Sequence, residues 1–305
     1  MANGGYAWWY LDALSDDGRH ALTVIAFIGS VFSPYYAWAR RRAPQAARAS
    51  AHNAINVALY GPGSHHWTMT ERGERQLQRD ARTLCIGPSA LAWHDGALTL
   101  QIDEVTAPWP RRVRGHIRLT PQACCTDSHA LDAAGRHQWS PIAPVARVEA
   151  EFEQPRLRWQ GAAYLDSNRG SVPLEDDFER WDWSRCALPD GRGAVLYDVT
   201  TCGGAQRSLA LAFDAQGRSQ PFDAPPPVAL PRSGWRVERG TRCDAGAGAQ
   251  VQRTLEDGPF YARSMLRTQL LGEPAQAVHE SLSLRRFASP VVQAMLPFRM
   301  PRRAG

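Results

Sequence analysis

The residues able to carry chemistry gather in the middle of the chain. His137-Gln-Trp139 is followed by Gly161-Ala-Ala-Tyr164-Leu-Asp166-Ser-Asn168-Arg-Gly170, and then by Phe178-Glu-Arg-Trp181-Asp-Trp183-Ser-Arg185. Side chains two apart on a strand share a face, so His137 and Trp139 point one way, as do Tyr164, Asp166 and Asn168. Two such rows could line one cavity with imidazole, indole, phenol and carboxyl groups. A glycoside hydrolase would use Asp166 with a second carboxylate in such a tryptophan-rich site, but no second carboxylate stands out. Structural duties account for the same residues. Asn168 and Gly170 suit turns, Trp139 and Trp183 suit a core, and Asp166 suits a strand end.

Other chemistries lack their signatures. The chain has no P-loop, GxGxxG, HExxH or GxSxG motif and no zinc-spaced Cys/His set, which disfavours nucleotide-driven and metalloprotease activity. His65-His66 with His52, His94 and His116 could be drawn as a metal cluster, but isolated strand histidines usually serve as surface or hydrogen-bonded core residues.

The elements that must position these residues are strands. Short β-branched or alternating runs recur between turn signals, as in Leu22-Thr-Val-Ile-Ala-Phe and Ala54-Ile-Asn-Val-Ala-Leu-Tyr. Ala90-Leu-Ala-Trp and Leu98-Thr-Leu-Gln-Ile flank Asp95-Gly96, a preferred hairpin turn. Asp190-Gly191, Gln216-Gly217 and Asp257-Gly258 announce three more. Glu71 to Thr83 and Ser289 to Met295 are the stretches that read as helical. The class is all-β, and a sheet with this many antiparallel strands hides its edges best by closing into a barrel.

At 305 residues the chain has room for two such barrels. The polar stretch Ser171 to Glu179 separates two strand-rich regions, giving domains 1–178 and 179–305. A cut at Pro221-Phe-Asp-Ala-Pro-Pro-Pro would leave too few residues for a closed barrel, so that run reads as a loop within the second domain.

Composition is ordinary for a globular protein, with 44% hydrophobic and 21% charged residues. Mean hydropathy is -0.40. The longest apolar run, Leu22 to Phe32, is far short of the ~20 residues that cross a bilayer, and reads as a buried strand. The start of the sequence shows no secretory leader, so export is not expected. Six cysteines lie scattered without CxxC spacing, as expected of reduced thiols in the cytoplasm. All 35 basic residues are arginine and the formal charge is +5. Arginine suits anionic surfaces, although GC-rich coding explains the same usage.

Several motifs together resemble the carotenoid 1,2-hydratase (hydroxyneurosporene synthase) family of the lipocalin-like superfamily. They are Trp8-Trp-Tyr-Leu-Asp-Ala-Leu-Ser-Asp-Asp-Gly18, Ile28-Gly-Ser-Val-Phe-Ser-Pro-Tyr-Tyr-Ala-Trp-Ala39, His137-Gln-Trp139 and Tyr164-Leu-Asp-Ser-Asn-Arg-Gly170. The resemblance spans nearly the whole chain. It implies two lipocalin-like β-barrel domains and cofactor-free addition of water to the terminal C1–C2 double bond of neurosporene or lycopene. It also implies functional positions at His137, Trp139, Tyr164 and Asp166, with Asp166 as the acid. Relatives in the wider superfamily share mainly the Tyr-x-Asp-x-Asn-x-Gly pattern and often have tryptophan where Arg169 stands. That group is functionally mixed, so the central motif by itself implies only the fold.

These residue types suit the reaction. A trisubstituted alkene is a very weak base, so hydration starts with protonation that leaves a tertiary cation for water to capture. A carboxyl in an apolar barrel mouth resists ionisation and can donate. Trp139 and Tyr164 can hold the cation by their ring faces, an interaction worth roughly 2 kcal/mol when desolvated. His137 can orient the acid, reprotonate it, or take a proton from water. Trp181, Trp183, Tyr36 and Asn168 follow as second-line substrate contacts. A non-catalytic lipid-binding barrel is the alternative.

A polyene of this kind sits in a bilayer. The tail Phe287 to Arg303 mixes apolar residues with terminal arginines, the composition of an interfacial anchor. The expected partners are an acyclic carotenoid and membrane lipid, with no nucleic acid, and the expected place is the cytoplasmic side of the photosynthetic membrane.

Overall fold

A computed structural model describes residues 2–303, and its elements are almost all antiparallel strands. The chain divides into two compact units. The first comprises residues up to Ala130, Arg136–Pro173 and the chain from Ala294 on; the second comprises Leu131–Gly135 and Leu174–Gln293.

The first unit opens with β1 (Tyr6–Ser15), β2 (Ala21–Ile28), β3 (Asn53–Gly61) and β4 (Ser64–Arg72). It continues with β5 (Leu77–Arg79), β6 (Thr83–Ile86), β7 (Ser89–His94), β8 (Ala97–Val105) and β9 (Arg112–Pro121). Then come β10 (His129–Ala130), β11 (His137–Gln154) and β12 (Leu157–Gly170). These strands form one sheet in the order β4-β3-β2-β1-β12-β11-β9-β8-β7-β6-β5, with β10 beside β11. The sheet curls until β4 meets β8, where the buried Arg72 guanidinium reaches Glu104 at 2.7 Å and Ser89 donates to the same carboxylate at 2.7 Å. Inside the curl lies an apolar core that includes Leu11, Ala13, Val24, Val57, Leu100, Ile117, Val148 and Leu165.

The second unit carries β13 (Phe178–Ala187), β14 (Gly193–Thr201), β15 (Gln206–Phe213) and β16 (Ser219–Pro221). It adds β17 (Pro227–Leu230), β18 (Arg239–Arg242), β19 (Gln250–Asp257), β20 (Tyr261–Leu270) and β21 (Glu273–Ser283). Seven of them make a sheet ordered β16-β15-β14-β13-β21-β20-β19, while β17 and β18 pair as a separate ribbon. Each expected hairpin turn joins two antiparallel partners: Asp95-Gly96, Asp190-Gly191, Gln216-Gly217 and Asp257-Gly258.

Helices are short and differ in part from expectation. Glu71 to Thr83 is not a helix. Its first residues end β4, Glu74–Gln76 make a single 3-10 turn, and Leu77 pairs with Ile86. Leu77 is the apolar residue that packs on the core there, and it does so from a strand. The helix that forms instead is α1 (Pro34–Arg42), started by Ser33, whose hydroxyl accepts from the Tyr35 and Tyr36 amides, and by Pro34 in the first turn. Three more short helices are α2 (Leu174–Asp177), α3 (Leu284–Phe287) and α4 (Pro290–Met295), the last as expected from the sequence. Among the described residues no helix is long and apolar enough to cross a membrane.

The end of the chain returns to the first unit. β22 (Arg302–Arg303) pairs in parallel with Glu71–Arg72 of β4. Arg302 is bonded to Glu71 and to the Ala51 carbonyl (3.1 Å), and Arg299 lies over the Trp67 ring at 4.3 Å.

Candidate active site

β11, β12 and β1 lie side by side, and their registers decide what meets. Trp139 stands opposite Asn168, and His137 opposite Gly170. On the other flank of β12, Tyr10 stands opposite Asp166, Asp12 opposite Tyr164, Trp8 opposite Asn168 and Tyr6 opposite Gly170. Alternation sends Leu11, Ala13, Ala163 and Leu165 into the apolar core. Tyr6, Trp8, Tyr10, Asp12, Tyr164, Asp166, Asn168, His137 and Trp139 therefore share the opposite face, and all of them are buried. The four primary sequence candidates come together here, with Asn168 beside them. They do not line the inside of the curled sheet, because the pleat assigns that side to their apolar neighbours.

The Asp166 carboxyl is the centre of the group at 3% exposure. The Trp139 indole Nε1–H donates to its Oδ2 at 2.8 Å, and the Tyr164 hydroxyl donates to the same oxygen at 2.9 Å. Burial pushes the Tyr164 phenol well above its ordinary value, followed by the charge of Asp166, their hydrogen bond and the charge of Asp12. Tyr164 thus stays an O–H donor throughout the physiological range. Its ring meets Tyr10 edge-on at 6.3 Å, and the Tyr10 hydroxyl donates to Asp12 Oδ2 at 3.3 Å.

His137 is engaged from β1: its Nδ1 and the Tyr6 hydroxyl are 2.9 Å apart, across the intervening β12. That contact needs Gly170. A Cβ there would come within 2.4 Å of the Tyr6 ring and 2.8 Å of His137 Nδ1, so only a residue without a side chain lets the two meet. Gly170 is therefore part of the site rather than a turn residue, and it ends a strand that runs without a break from Leu157. An aromatic row extends the face: Tyr6 stacks on Trp8 (4.9 Å), and Trp8 and Phe27 each meet Phe32 (6.4 and 6.0 Å).

The other second-line candidates lie in other settings. Tyr36 is buried on α1, where its hydroxyl donates to the Gly5 carbonyl at 2.7 Å, its ring stacks on His52 and the Arg40 guanidinium covers it. It belongs to the apolar core cluster of the first unit. Trp181 and Trp183 are buried on β13 of the second unit, where Trp181 packs on Phe178 and Tyr197. The same unit holds a cleft of about 580 Å³ lined in part by Arg180, Asp182, Asp198, Arg239 and Arg242, a charged wall unsuited to a hydrocarbon.

Sequence reasoning about the site missed β1. Tyr6, Trp8, Tyr10 and Asp12 alternate with apolar residues just as Tyr164, Asp166 and Asn168 do, and that period was the available signal.

Comparison with known proteins agrees with this architecture. A family profile described as Carotenoid hydratase CrtC matches residues 24–305. The acyclic carotenoid 1,2-hydratase of Thiocapsa roseopersicina is 59% identical over 99% of this chain and 74% of its own length. That of Rubrivivax gelatinosus is 52% identical over the same shares, 99% and 74%. That of Cereibacter sphaeroides is 41% identical over 92% of this chain and 99% of its own. Among solved structures, an AttH-designated protein of Nitrosomonas europaea shares the fold with a TM-score of 0.62 at 16% identity, covering 91% of this chain and 92% of the other. CghA with Sch210972 follows at 0.61 and 13%, covering 93% and 89%. The fold class is all-β and lipocalin-like, and the chain belongs to the carotenoid hydratase family.

Proposed function

We propose that the protein adds water across the terminal C1–C2 double bond of an acyclic carotene such as neurosporene or lycopene, giving the tertiary 1-hydroxy product. The observation that carries the reading is the double donation onto Asp166 Oδ2 from Trp139 and Tyr164. With Oδ2 engaged by two donors, the acidic hydrogen of the protonated carboxyl belongs on Oδ1. Delivery of that proton to C2 leaves a tertiary cation at C1, and water adds there and loses a proton. The two donors stabilise the carboxylate left behind, so they lower the barrier to proton transfer. The faces of Trp139 and Tyr164 stabilise the cation, worth roughly 2 kcal/mol in a dry site. His137 is a positioning residue, tied to Tyr6. No step calls on a cofactor, and the reverse reaction is a carbon–oxygen lyase elimination.

The substrate reaches the enzyme from a membrane, and we infer interfacial contact without a span. Within the first unit Met295 and Phe298 stay exposed on the tail while Leu296 turns inward, and Trp38 stands exposed on α1 with Arg42 over its ring at 5.1 Å. Arg299 and Arg302 are engaged with Trp67 and Glu71, so the exposed apolar side chains, with Arg41 and Arg42 at the end of α1, are the groups that meet lipid in this reading.

Incubation with lycopene under nitrogen in heavy-oxygen water tests the reaction. The product should gain one water per hydrated end, with label in the new hydroxyl. Label from dioxygen, or binding of lycopene with no product, would sink the hydratase reading and in the second case favour a carrier.

A further inference from the structure

Hydration needs one proton in and one proton out, and the site holds two carboxyls. Asp12 is fully buried on the same face as Asp166. The register sets Tyr10 opposite Asp166 and Asp12 opposite Tyr164, so four side chains form a checkerboard with the carboxyls on one diagonal and the phenols on the other. Diagonal neighbours on adjacent strands are roughly 7 Å apart, close enough to act on one small reacting group. After burial, the charges of both carboxylates help to raise the Tyr164 phenol.

Each carboxyl accepts from a phenol of the checkerboard. Asp166 Oδ2 accepts from Trp139 and Tyr164 at 2.8 and 2.9 Å, and Asp12 Oδ2 accepts from Tyr10 at 3.3 Å. We propose that Asp12 is the second carboxyl of the site and takes the proton that water loses as it captures the cation. The inference rests on the hydratase reading. Its balance is simple: Asp166 gives a proton to C2, the oxygen of water bonds to C1, and one proton of that water passes to Asp12. One net transfer from Asp12 back to Asp166 restores the start, with the Tyr10 and Tyr164 hydroxyls at the other two corners as its path.

The test compares wild type, Asp12→Asn and Asp166→Asn with detergent-solubilised lycopene in heavy water, reading both hydrated product and deuterium in recovered lycopene. Wild type must hydrate, or the hydratase reading itself fails. In Asp12→Asn the cation should still form and collapse by losing a proton, so deuterium enters recovered lycopene while hydration falls about 10²-fold or more. Asp166→Asn should lose both signals. Asp12→Glu, which keeps the carboxyl, should recover at least part of the hydration. Near-native hydration by a well-folded Asp12→Asn protein overturns the proposal, and so does joint loss of hydration and deuterium entry. Should Asp12→Asn fail to melt cooperatively, Tyr10→Phe takes its place. It keeps both carboxyls and should slow hydration about tenfold with deuterium entry retained, as expected for one lost hydrogen bond, while unchanged hydration would count against Asp12.

Discussion

Each unit of this molecule buries an aspartate in the middle of a strand, and the two are held by different chemistry. Asp166 of β12 receives an indole N–H and a phenol O–H on one oxygen. Asp182 of β13 faces the Arg180 guanidinium at 2.7 Å, accepts from Ser281, and takes the Gly240 amide at 3.3 Å. Burial pushes Asp182 up to about 6 even though Arg180 pulls it down. His279 approaches it at 3.9 Å, but burial and the charges of Arg239 and Arg180 lower that ring to about 3, so it is neutral and the approach is no ion pair. A carboxyl clamped by a guanidinium stabilises its own surroundings, because proton loss and gain there disturb an ion pair. A carboxyl held by neutral donors can exchange a proton while its hydrogen bonds persist.

The sharpest way to break that contrast is to remove the same proton from both. Asp166→Asn keeps the size of the side chain and should lower hydration by at least 10²–10⁴-fold, with a melting curve near wild type. Asp182→Asn should leave hydration per folded molecule within a few-fold of wild type and change stability instead. If Asp182→Asn abolishes product and Asp166→Asn does not, the assignments exchange.

Arg180→Gln acts on the other side of the comparison. It leaves Asp182 buried among Ser281, Gly240 and a neutral His279, without its cation. Loss of a charged hydrogen bond at this partly exposed guanidinium should cost about 2 kcal/mol, read as a lower denaturant midpoint with unchanged turnover. Trp139→Phe is gentler. It removes one of the two donors on Asp166 Oδ2 and keeps a ring with a weaker face, so hydration should slow by about tenfold, less than for Asp166→Asn.

How much of this the sequence carried follows from what is local. Asp95-Gly96 sets a hairpin through its own backbone, where Asp95 and Gly96 both take positive φ, and the strand class was legible from such turns and from period-two runs. The rows His137/Trp139 and Tyr164/Asp166/Asn168 were legible because side chains two apart share a face. Which face was not legible: in a strand buried on both sides alternation separates two sets of side chains without saying which takes the core, and the fold gives that place to Leu165 and Ala163. Alternation places Asp12 on a face of β1, but not beside Tyr164. It is more than 150 residues from the strand it joins, and pairing at that separation leaves no local signal. Glu71 to Thr83 misled because charged residues at helical spacing look alike whether they line a helix or leave a strand through Gly73.

The smallest expected effect is the response of stability to acid, and its sign follows from the same burial. His52 beside Glu71 and Arg302, and His279 beside Ser184 and Ser281, are both lowered from 6.5 to about 3, chiefly by burial. His66 and His129 are lowered too, for the same first reason. A histidine with a lowered folded value binds its proton in the unfolded chain first, so stability falls as pH drops below about 6.5. Asp182 opposes this: raised from 3.8 to about 6, it gains its proton first in the folded state, which stabilises the fold between those values as pH falls. Glu104, also raised by burial, pulls the same way against the Arg72 pairing that holds it ionised. Two imidazoles at about 3 set against Asp182 at about 6 leave about one net proton taken up on unfolding just below pH 6.5. The fold should lose roughly 1 kcal/mol over that first unit. Denaturant titrations at pH 7.5, 6.5 and 5.5 read the slope directly. His279→Gln should flatten it and Asp182→Asn should steepen it, because the first removes a group that opposes folding in acid and the second removes one that favours it. A slope of the opposite sign would mean that the carboxyls, rather than the imidazoles, govern the acid limb.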